Sequence, residues 1–370
     1  MDRETSIYLD LVRFASTMVV MVSHLSFERF SGGYLKGAFP LGHEAVILFF
    51  VLSGYVISYV ADVKENNLKD YTISRLARLY SVVIPALLLV PLLDAIGGAL
   101  DAALYADQTL ASYFPLRLLA NLLFLQEAWT LSVRYLSDAP LWSLGYEFWY
   151  YLLFSVFVFL EGRKRCLLLL AASLAAGPKI LLLMVPWLLG VGVYRLHKTQ
   201  SLDRYLARFL FLLALLSFPF LFHAYSGINM YMKALLTEPL QGRLGYSANY
   251  ATDYITALLV AVNLFSFKYL QIDFLDKTLV SLEGLIRYLA NSAFTIYLFH
   301  FPLFLFFTAA LGLEPGSIIQ MAGLFGVTLL SCLLLAGVTE KKKGAWKRYL
   351  TRLFDRAESN SRLFLRQPAK

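Results

Sequence analysis

The sequence carries little charge for its length. Asp, Glu, Lys and Arg make up 16% of its 370 residues, and hydrophobic residues make up 59%. Soluble domains carry about 25% charged residues, so this composition excludes an ordinary soluble domain. The chain has room for roughly ten membrane-crossing helices of about 20 residues. We therefore expect an all-α, polytopic membrane protein with one integral domain, residues 1–340, and a tail, residues 341–370.

Cysteines are few, and the sequence shows no internal repeat. Cys166 and Cys332 lie in or beside apolar runs without metal-ligand spacing, so we expect buried thiols and no metal site. The lack of a repeat disfavours transporters built from two related halves. The N-terminus lacks the basic region and small-residue cleavage site of a signal peptide, so we expect the first apolar run to be retained.

The net charge of +8 resides in the tail. Residues 341–370 contain ten Lys/Arg and two Asp/Glu, so the preceding 340 residues hold 23 charged residues of each sign and are neutral overall. By the positive-inside rule the tail is cytoplasmic, as are four basic loops, and both termini then lie in the cytoplasm. A basic tail directly after a span favours lipid headgroups over nucleic acid. Trp346, Leu350, Leu353 and Phe354 recur at helical spacing, which predicts an amphipathic helix on the membrane.

The apolar runs predict ten spans. They are placed near 8–27, 40–60, 82–99, 142–160, 165–177, 179–194, 206–223, 254–267, 290–311 and 318–338. The run 114–126 is short for a span and would spoil the charge parity, so we interpret it as re-entrant or interfacial. The polar stretch 224–253 is expected to be an outer loop, either a plain connection or a lid that contacts a substrate.

The first span contains three polar residues of interest. Asp10 and Arg13 are spaced i, i+3, which predicts a structural ion pair. Arg13 and His24 are eleven residues apart and therefore share a helix face, about 16 Å apart along the axis. Ionisable groups inside spans tend to be paired or functional, and this face indicates a polar cavity. His24 is either a satisfied hydrogen-bonding residue or a catalytic base.

The second span contains Phe49-Phe50-Val51-Leu52-Ser53-Gly54. Apolar residues are what a span requires, and Ser53-Gly54 alone would be explained by close helix packing. Glu44 follows His43 at the outer start of this span. Both residues either mark the membrane interface or contribute to the cavity.

Two arginines precede the third predicted span. Arg75 and Arg78 are spaced i, i+3 and project together on the cytoplasmic side. Such pairs commonly snorkel to lipid headgroups. Their guanidinium groups are equally suited to binding phosphate.

The fourth span opens with a polar pair at i, i+4, Ser143 and Glu147. Glu147 has no basic residue at helical spacing and needs a partner across the bundle. The loop charges place it at a depth similar to that of His24. An imidazole–carboxylate pair is therefore geometrically possible, and it would constitute a general base and its orienting group.

Taken in order, these motifs resemble the bacterial acyltransferase family 3, whose members O-acylate surface sugars and related acceptors. The matching elements are Arg13-(ten residues)-His24, Phe49 to Gly54, Arg75-x-x-Arg78, Ser143-x-x-x-Glu147 and the late segment Ile296 to Leu303. The chain departs from many members at Ile47, where they have an acidic residue. The acidic residue in this region is Glu44.

The resemblance implies acyl transfer across the bacterial cytoplasmic (inner) membrane. Acyl-CoA, with acetyl-CoA as the expected donor, would be bound by Arg75 and Arg78. His24 would act as general base or acyl carrier, Glu147 would orient His24 or the acceptor, and Arg13 would stabilise the oxyanion or hold the pantetheine. The acceptor would be a glycan or glycolipid.

The remaining cavity residues are expected to be Phe49, Phe50, Ser53, Gly54, Ser143, Glu44 and His300, the last being equally compatible with core packing. A flippase of lipid-linked sugars is an alternative function, as is a non-catalytic membrane scaffold.

Overall fold

A computed structural model describes residues 1–35, 41–65, 67–106, 112–235 and 238–364. The described residues are helical and contain no β-strand, which confirms the all-α prediction. The helices are α1 (Arg3–Leu25), α2 (Glu28–Ser31), α3 (Gly42–Val63), α4 (Leu68–Leu100), α5 (Ala102–Tyr105), α6 (Phe114–Leu122), α7 (Trp142–Phe159), α8 (Gly162–Ala176), α9 (Pro178–Thr199), α10 (Arg204–Leu235), α11 (Glu238–Leu244), α12 (Tyr250–Phe267), α13 (Asp273–Ser281), α14 (Glu283–Ala290), α15 (Ala293–Leu311), α16 (Ile318–Ala336) and α17 (Lys343–Phe364).

Seven stretches of helix in the described ranges are long and apolar enough to cross a membrane. They lie on α1, α3, α4, α9, α12, α15 and α16, and correspond to seven of the ten predicted spans. The predictions at 142–160, 165–177 and 206–223 coincide with α7, α8 and α10, which are helical but are not among these seven. The structure thus establishes seven candidate spans, and the count of ten stays a prediction. The predicted first residue of the second span, Pro40, and tail residues 365–370 lie outside the described ranges.

Polar caps fix several helix starts. Asp2 accepts a hydrogen bond from the Thr5 amide at the start of α1, and Asn67 accepts one from the Asp70 amide at the start of α4. Such caps satisfy amides that have no partner within the helix. The predicted third span began at residue 82, but the helix begins at Leu68. Arg75 and Arg78 therefore lie within the helix, where contacts with other residues accommodate their charge.

Two further sequence interpretations were wrong. The stretch 224–253 is mainly helical where it is described, because α10 continues to Leu235 and α11 leads through a 3₁₀ turn, Gly245–Asn249, into α12. Cys166 is exposed on α8, whereas Cys332 is buried as predicted.

The run 114–126 contains the nine-residue α6, whose length of about 14 Å is too short to cross a bilayer.

Tertiary contacts bring the basic segments to one end of the bundle, which we call the basic end. Asp62 at the end of α3 accepts a hydrogen bond from Lys198 at the end of α9, and Lys69 near the start of α4 pairs with Asp355 of α17. The apolar side chains Trp346, Leu350 and Phe354 pack against α4. The tail helix thus buries part of its apolar face on protein, although we predicted a membrane contact.

Candidate active site

A cavity with an empty volume of about 590 Å³ lies among α1, α3, α4, α7 and α15. Seven residues that the sequence singled out line it: Arg13, Phe49, Phe50, Ser53, Arg78, Ser143 and Glu147. They come from four separate helices, and each lies on the helix face that turns inward. The helical spacing of these motifs therefore does identify one shared cavity.

Two cations face this cavity towards the basic end. Arg13 donates to the Asp10 carboxylate at 2.8 Å, which is the predicted ion pair. Asp10 also accepts from Arg287 of α14 at 3.0 Å, so the carboxylate is held between two guanidinium groups. The guanidinium of Arg78 lies 4.4 Å from the centre of the Phe294 ring, a cation–π contact. Both arginines keep their positive charge at any physiological pH.

An acidic residue that the sequence did not reveal organises the same region. The Glu340 carboxylate accepts from the backbone amides of Phe294 and Thr295 and so caps the start of α15. Arg13, Arg78 and Lys343 all lie within electrostatic range of it. Three cations thus lie around the buried Glu340, and they outnumber the two carboxylates when Asp10 is also counted. This end of the cavity, which we call the cationic entrance, is therefore net positive and suited to an anionic ligand.

Glu147 is held by hydroxyl groups in the middle of the cavity. Its Oε1 accepts from Ser53 Oγ at 2.7 Å and from the hydroxyl of Tyr151 one turn later. Ser53 Oγ in turn accepts from the indole nitrogen of Trp187 at 3.2 Å. Glu147 as a whole is 7% exposed. These bonds satisfy one oxygen and orient the carboxylate within the cavity.

Ser143 and Tyr297 close the cavity on the side away from the basic end. Ser143 Oγ donates to the Tyr297 hydroxyl at 2.8 Å, and both residues line the cavity. The Tyr297 ring lies 6.4 Å from the ring of His300, one turn further along α15. Tyr297 therefore separates the cavity from a histidine pair.

His24 and His300 form that pair. His24 Nδ1 lies 2.6 Å from His300 Nε2, and His300 Nδ1 lies 2.9 Å from the Ile296 carbonyl oxygen. A carbonyl only accepts, so His300 Nδ1 carries the hydrogen and, in the neutral ring, Nε2 accepts. His24 Nδ1 must then donate, which leaves a lone pair on His24 Nε2. This hydrogen-bond network assigns the tautomer that a base or nucleophile requires.

A comparison with protein families identifies the family to which the chain belongs. The family model described as "Acyltransferase domain" matches residues 6–337, nearly the whole chain. The chain belongs to acyltransferase family 3. The comparison with curated proteins gave no match, and the comparison with solved structures gave none either. Membership establishes a multi-pass membrane acyltransferase in general terms and does not favour the flippase alternative.

The expected pairing of His24 with Glu147 does not occur in this family member. His24 bonds to His300, and Glu147 bonds to Ser53 and Tyr151. The loop charges indicated the depth of each residue but not which helix lies opposite it. α15 presents His300 to α1, and this contact takes the hydrogen bond that we had assigned to the carboxylate.

Arg75 does not join Arg78 at the cavity. Its guanidinium donates to Glu65 at 2.8 Å, and the two side chains are 10% and 7% exposed. Two charges that are removed from water must pair, and Glu65, just after the end of α3, supplies the partner. The predicted two-arginine clamp is thus divided: Arg78 faces the cavity and Arg75 forms a buried ion pair.

Gly54 and Glu44 also lie away from the cavity. A Cβ atom on Gly54 would lie 1.9 Å from the Trp187 carbonyl oxygen, so glycine allows α3 and α9 to touch. Glu44 lies within electrostatic range of His43 and Asp253. His43 Nε2 bonds to Asp253 Oδ1 at 2.9 Å, and Asp253 is 1% exposed. These residues form a separate polar cluster at the end opposite the basic end.

Sequence reasoning missed three cavity neighbours, Tyr151, Tyr297 and Glu340. Tyr151 follows Glu147 by four residues and Tyr297 precedes His300 by three, so helical spacing from the named residues would have found both. Glu340 lies in a basic segment after the last span and has no such signal. Among the described residues, no group of three or more His, Cys, Asp or Glu side chains has the arrangement of a metal site.

Proposed function

We propose that the protein is a membrane O-acyltransferase that moves an acetyl group from acetyl-CoA to a hydroxyl group of a surface polysaccharide, lipid-linked sugar or similar acceptor. Its place is the bacterial cytoplasmic membrane, with both termini and the basic end facing the cytoplasm. Membership of the family supports acyl transfer. The observation that supports the finer proposal is the order of groups along the bundle: Arg13 and Arg78 at the basic end of the cavity, Tyr297 at its other end, and the His24–His300 pair directly beyond Tyr297.

The cationic entrance is the site we propose for the acyl-CoA phosphates. Arg78 faces the cavity, and Lys343 lies within electrostatic range of both Arg78 and Arg13. An arginine and a lysine that lie close together are well suited to binding phosphate groups. The positive-inside rule predicts that the basic end of the bundle faces the cytoplasm, where acyl-CoA is found. Arg75 acts indirectly here, since its pair with Glu65 fixes the part of α4 that carries Arg78.

The cavity is the site we propose for the pantetheine arm and the thioester. Phe49 and Phe50 supply apolar walls, and Arg13 is a fixed cation beside them. Because Arg13 lies about 16 Å along α1 from His24, this cation would hold polar groups of the pantetheine arm rather than the reacting carbonyl group. Glu147, Ser53 and Ser143 supply the polar contacts that would orient the acyl group.

The transfer step is proposed to use His24 Nε2. The imidazole takes the proton of the acceptor hydroxyl, the hydroxyl oxygen bonds to the thioester carbon, and the carbon–sulfur bond then breaks. The imidazolium returns its proton to the leaving CoA thiolate. A mechanism in which Nε2 itself carries the acyl group uses the same lone pair. His300 acts in both mechanisms by accepting the Nδ1 hydrogen.

The test uses membranes that contain the protein and acetyl-CoA labelled in its acetyl group. We expect label to enter the glycolipid and polysaccharide fraction in proportion to the amount of protein. Membranes with an Arg13→Gln variant at matched expression serve as the control and should incorporate little label. Incorporation that is the same with and without the protein would refute the proposal.

A further inference from the structure

A second pocket lies at the end of the bundle opposite the basic end. Its empty volume is about 290 Å³, and it is formed by α6, the loop 123–141, the start of α7 and the 3₁₀ turn before α12. The side chains that matter for its chemistry are Asn121, Ser132, Arg134, Asp138, Trp142 and Tyr246. None of them has a role in the acyl cavity described above.

Asp138 is the unusual member of this pocket. It is 1% exposed, and neither carboxyl oxygen has a hydrogen-bond partner of ordinary geometry. Burial and the neighbouring Asp94 carboxylate raise the pKa of Asp138 well above its usual range, with the Leu141 amide opposing this shift. A buried polar group without a partner costs free energy, and such groups persist where a ligand supplies the missing bonds.

An aromatic column forms one wall of the pocket. The rings of His43 and Trp142 are nearly parallel with centres 6.1 Å apart, and those of Trp142 and Tyr246 are parallel at 3.9 Å. Tyr246 ends the column and is 36% exposed. Stacking on two further rings fixes its orientation, so it offers a rigid apolar face beside a hydrogen-bonding carboxyl group.

Only a thin wall separates this pocket from the acyl cavity. Leu141 and Trp142 line the pocket, whereas the next two residues, Ser143 and Leu144, line the cavity. Tyr297 of the cavity lies within electrostatic range of both Asp138 and Tyr246. A ligand in the pocket would therefore lie next to the end of the cavity where the histidine pair is found.

Given the acyltransferase function proposed above, we propose that this pocket binds a neutral, polyhydroxylated ring of the acceptor, with its flat face on Tyr246 and a hydroxyl group on Asp138. A sugar ring matches both features, because it has an apolar face and hydroxyl groups around its edge. The pocket holds acidic and basic groups together, since Glu127 and Lys179 are paired beside Arg134, and this mixture does not favour a strongly anionic ligand.

The experiment uses the purified full-length protein in lipid nanodiscs. The probe is the glycolipid and polysaccharide fraction of the cells that make the protein, titrated at saturating labelled acetyl-CoA. We expect Asp138→Ala and Tyr246→Ala each to raise the KM for this fraction about tenfold or more. The KM for acetyl-CoA should not change, and Tyr246→Phe, which keeps the ring, should resemble the wild type.

Thermal stability separates a binding role from a structural one. Asp138→Ala removes a buried carboxyl group whose oxygens have no hydrogen-bond partner of ordinary geometry, so its Tm should be close to or above that of the wild type. Tyr34→Ala removes a tyrosine that is 70% exposed and lies outside the pocket, and it should change neither KM. An unchanged acceptor KM in Asp138→Ala and Tyr246→Ala, or a lowered Tm with equal loss towards both substrates, would overturn the proposal.

A binding measurement that needs no acyl transfer completes the test. Ser132→Cys in a Cys166→Ser background places an exposed thiol at the pocket edge, and its reaction with a maleimide is followed. The glycan fraction should slow this reaction, whereas the same fraction after periodate cleavage of its diols should not. Protection without any acetyl transfer would refute the proposed function and retain the pocket. Transfer without protection would overturn the pocket proposal alone.

Discussion

His300→Phe tests the tautomer assignment. The change removes His300 Nε2, which lies 2.6 Å from His24 Nδ1 and accepts its hydrogen. It keeps a flat ring at a position that is fully buried. His24 is then free to adopt the tautomer in which Nε2 carries the hydrogen and cannot act as a base. Leaving one buried polar group without its partner costs about 1–3 kcal/mol. At about 1.4 kcal/mol for each factor of ten, we expect kcat to fall about 5- to 150-fold.

The assay is the initial rate of label transfer from acetyl-CoA with protein matched by its folded fraction. Because His300 does not line the acyl cavity, the KM for acetyl-CoA should be unchanged. His300→Gln is the matched variant, since its amide oxygen can again accept from His24 Nδ1, and it should recover a large part of kcat. A rate in His300→Phe within about twofold of the wild type would refute the assignment. Equal losses in His300→Phe and His300→Gln would also refute it.

Three further changes test the packing and the cationic entrance. Gly54→Ala places a methyl group against α9 and should destabilise the protein by about 1–3 kcal/mol or more, which would be measured as a lower Tm. The control is Gly192→Ala on α9, where the added methyl group meets open space and should leave Tm unchanged. Equal Tm values for the two variants would contradict the close contact of α3 with α9. Arg78→Gln, assayed with protein matched by its folded fraction, should raise the KM for acetyl-CoA about tenfold or more. An unchanged KM would exclude Arg78 from donor binding. Arg75→Gln leaves the buried Glu65 charge unpaired and should cost about 3–5 kcal/mol of stability, recovered in the double variant with Glu65→Gln; no recovery would argue against this pair.

The cavity was predictable because helical periodicity determines which side chains share a face. Arg13, Ser53, Ser143 and Glu147 each lie at a polar position in an apolar run, and a bilayer allows such groups only where they face protein or a cavity. Three helices that each carry one polar face can satisfy this condition together by enclosing a common space. The all-α fold and seven of the spans follow from composition and run length in the same way.

The partners of these residues could not be predicted, because spacing within one helix does not specify its neighbour. His24 and His300 are 276 residues apart in the chain, and Glu340 reaches α15 from beyond the last span. Gly54 was ambiguous for a related reason. A small residue next to a polar motif fits either a ligand or a close helix contact, and only the position of α9 decides between them.

The measurement that tests the central claim most directly compares the wild type with His24→Ala in nanodiscs. Binding of acetyl-CoA is measured first, followed by transfer of its labelled acetyl group to the glycan fraction. We predict that the variant binds acetyl-CoA as the wild type does, since His24 does not line the acyl cavity, and transfers essentially none of the label. Wild-type transfer by His24→Ala would contradict the assignment of His24 as the residue that carries out the reaction.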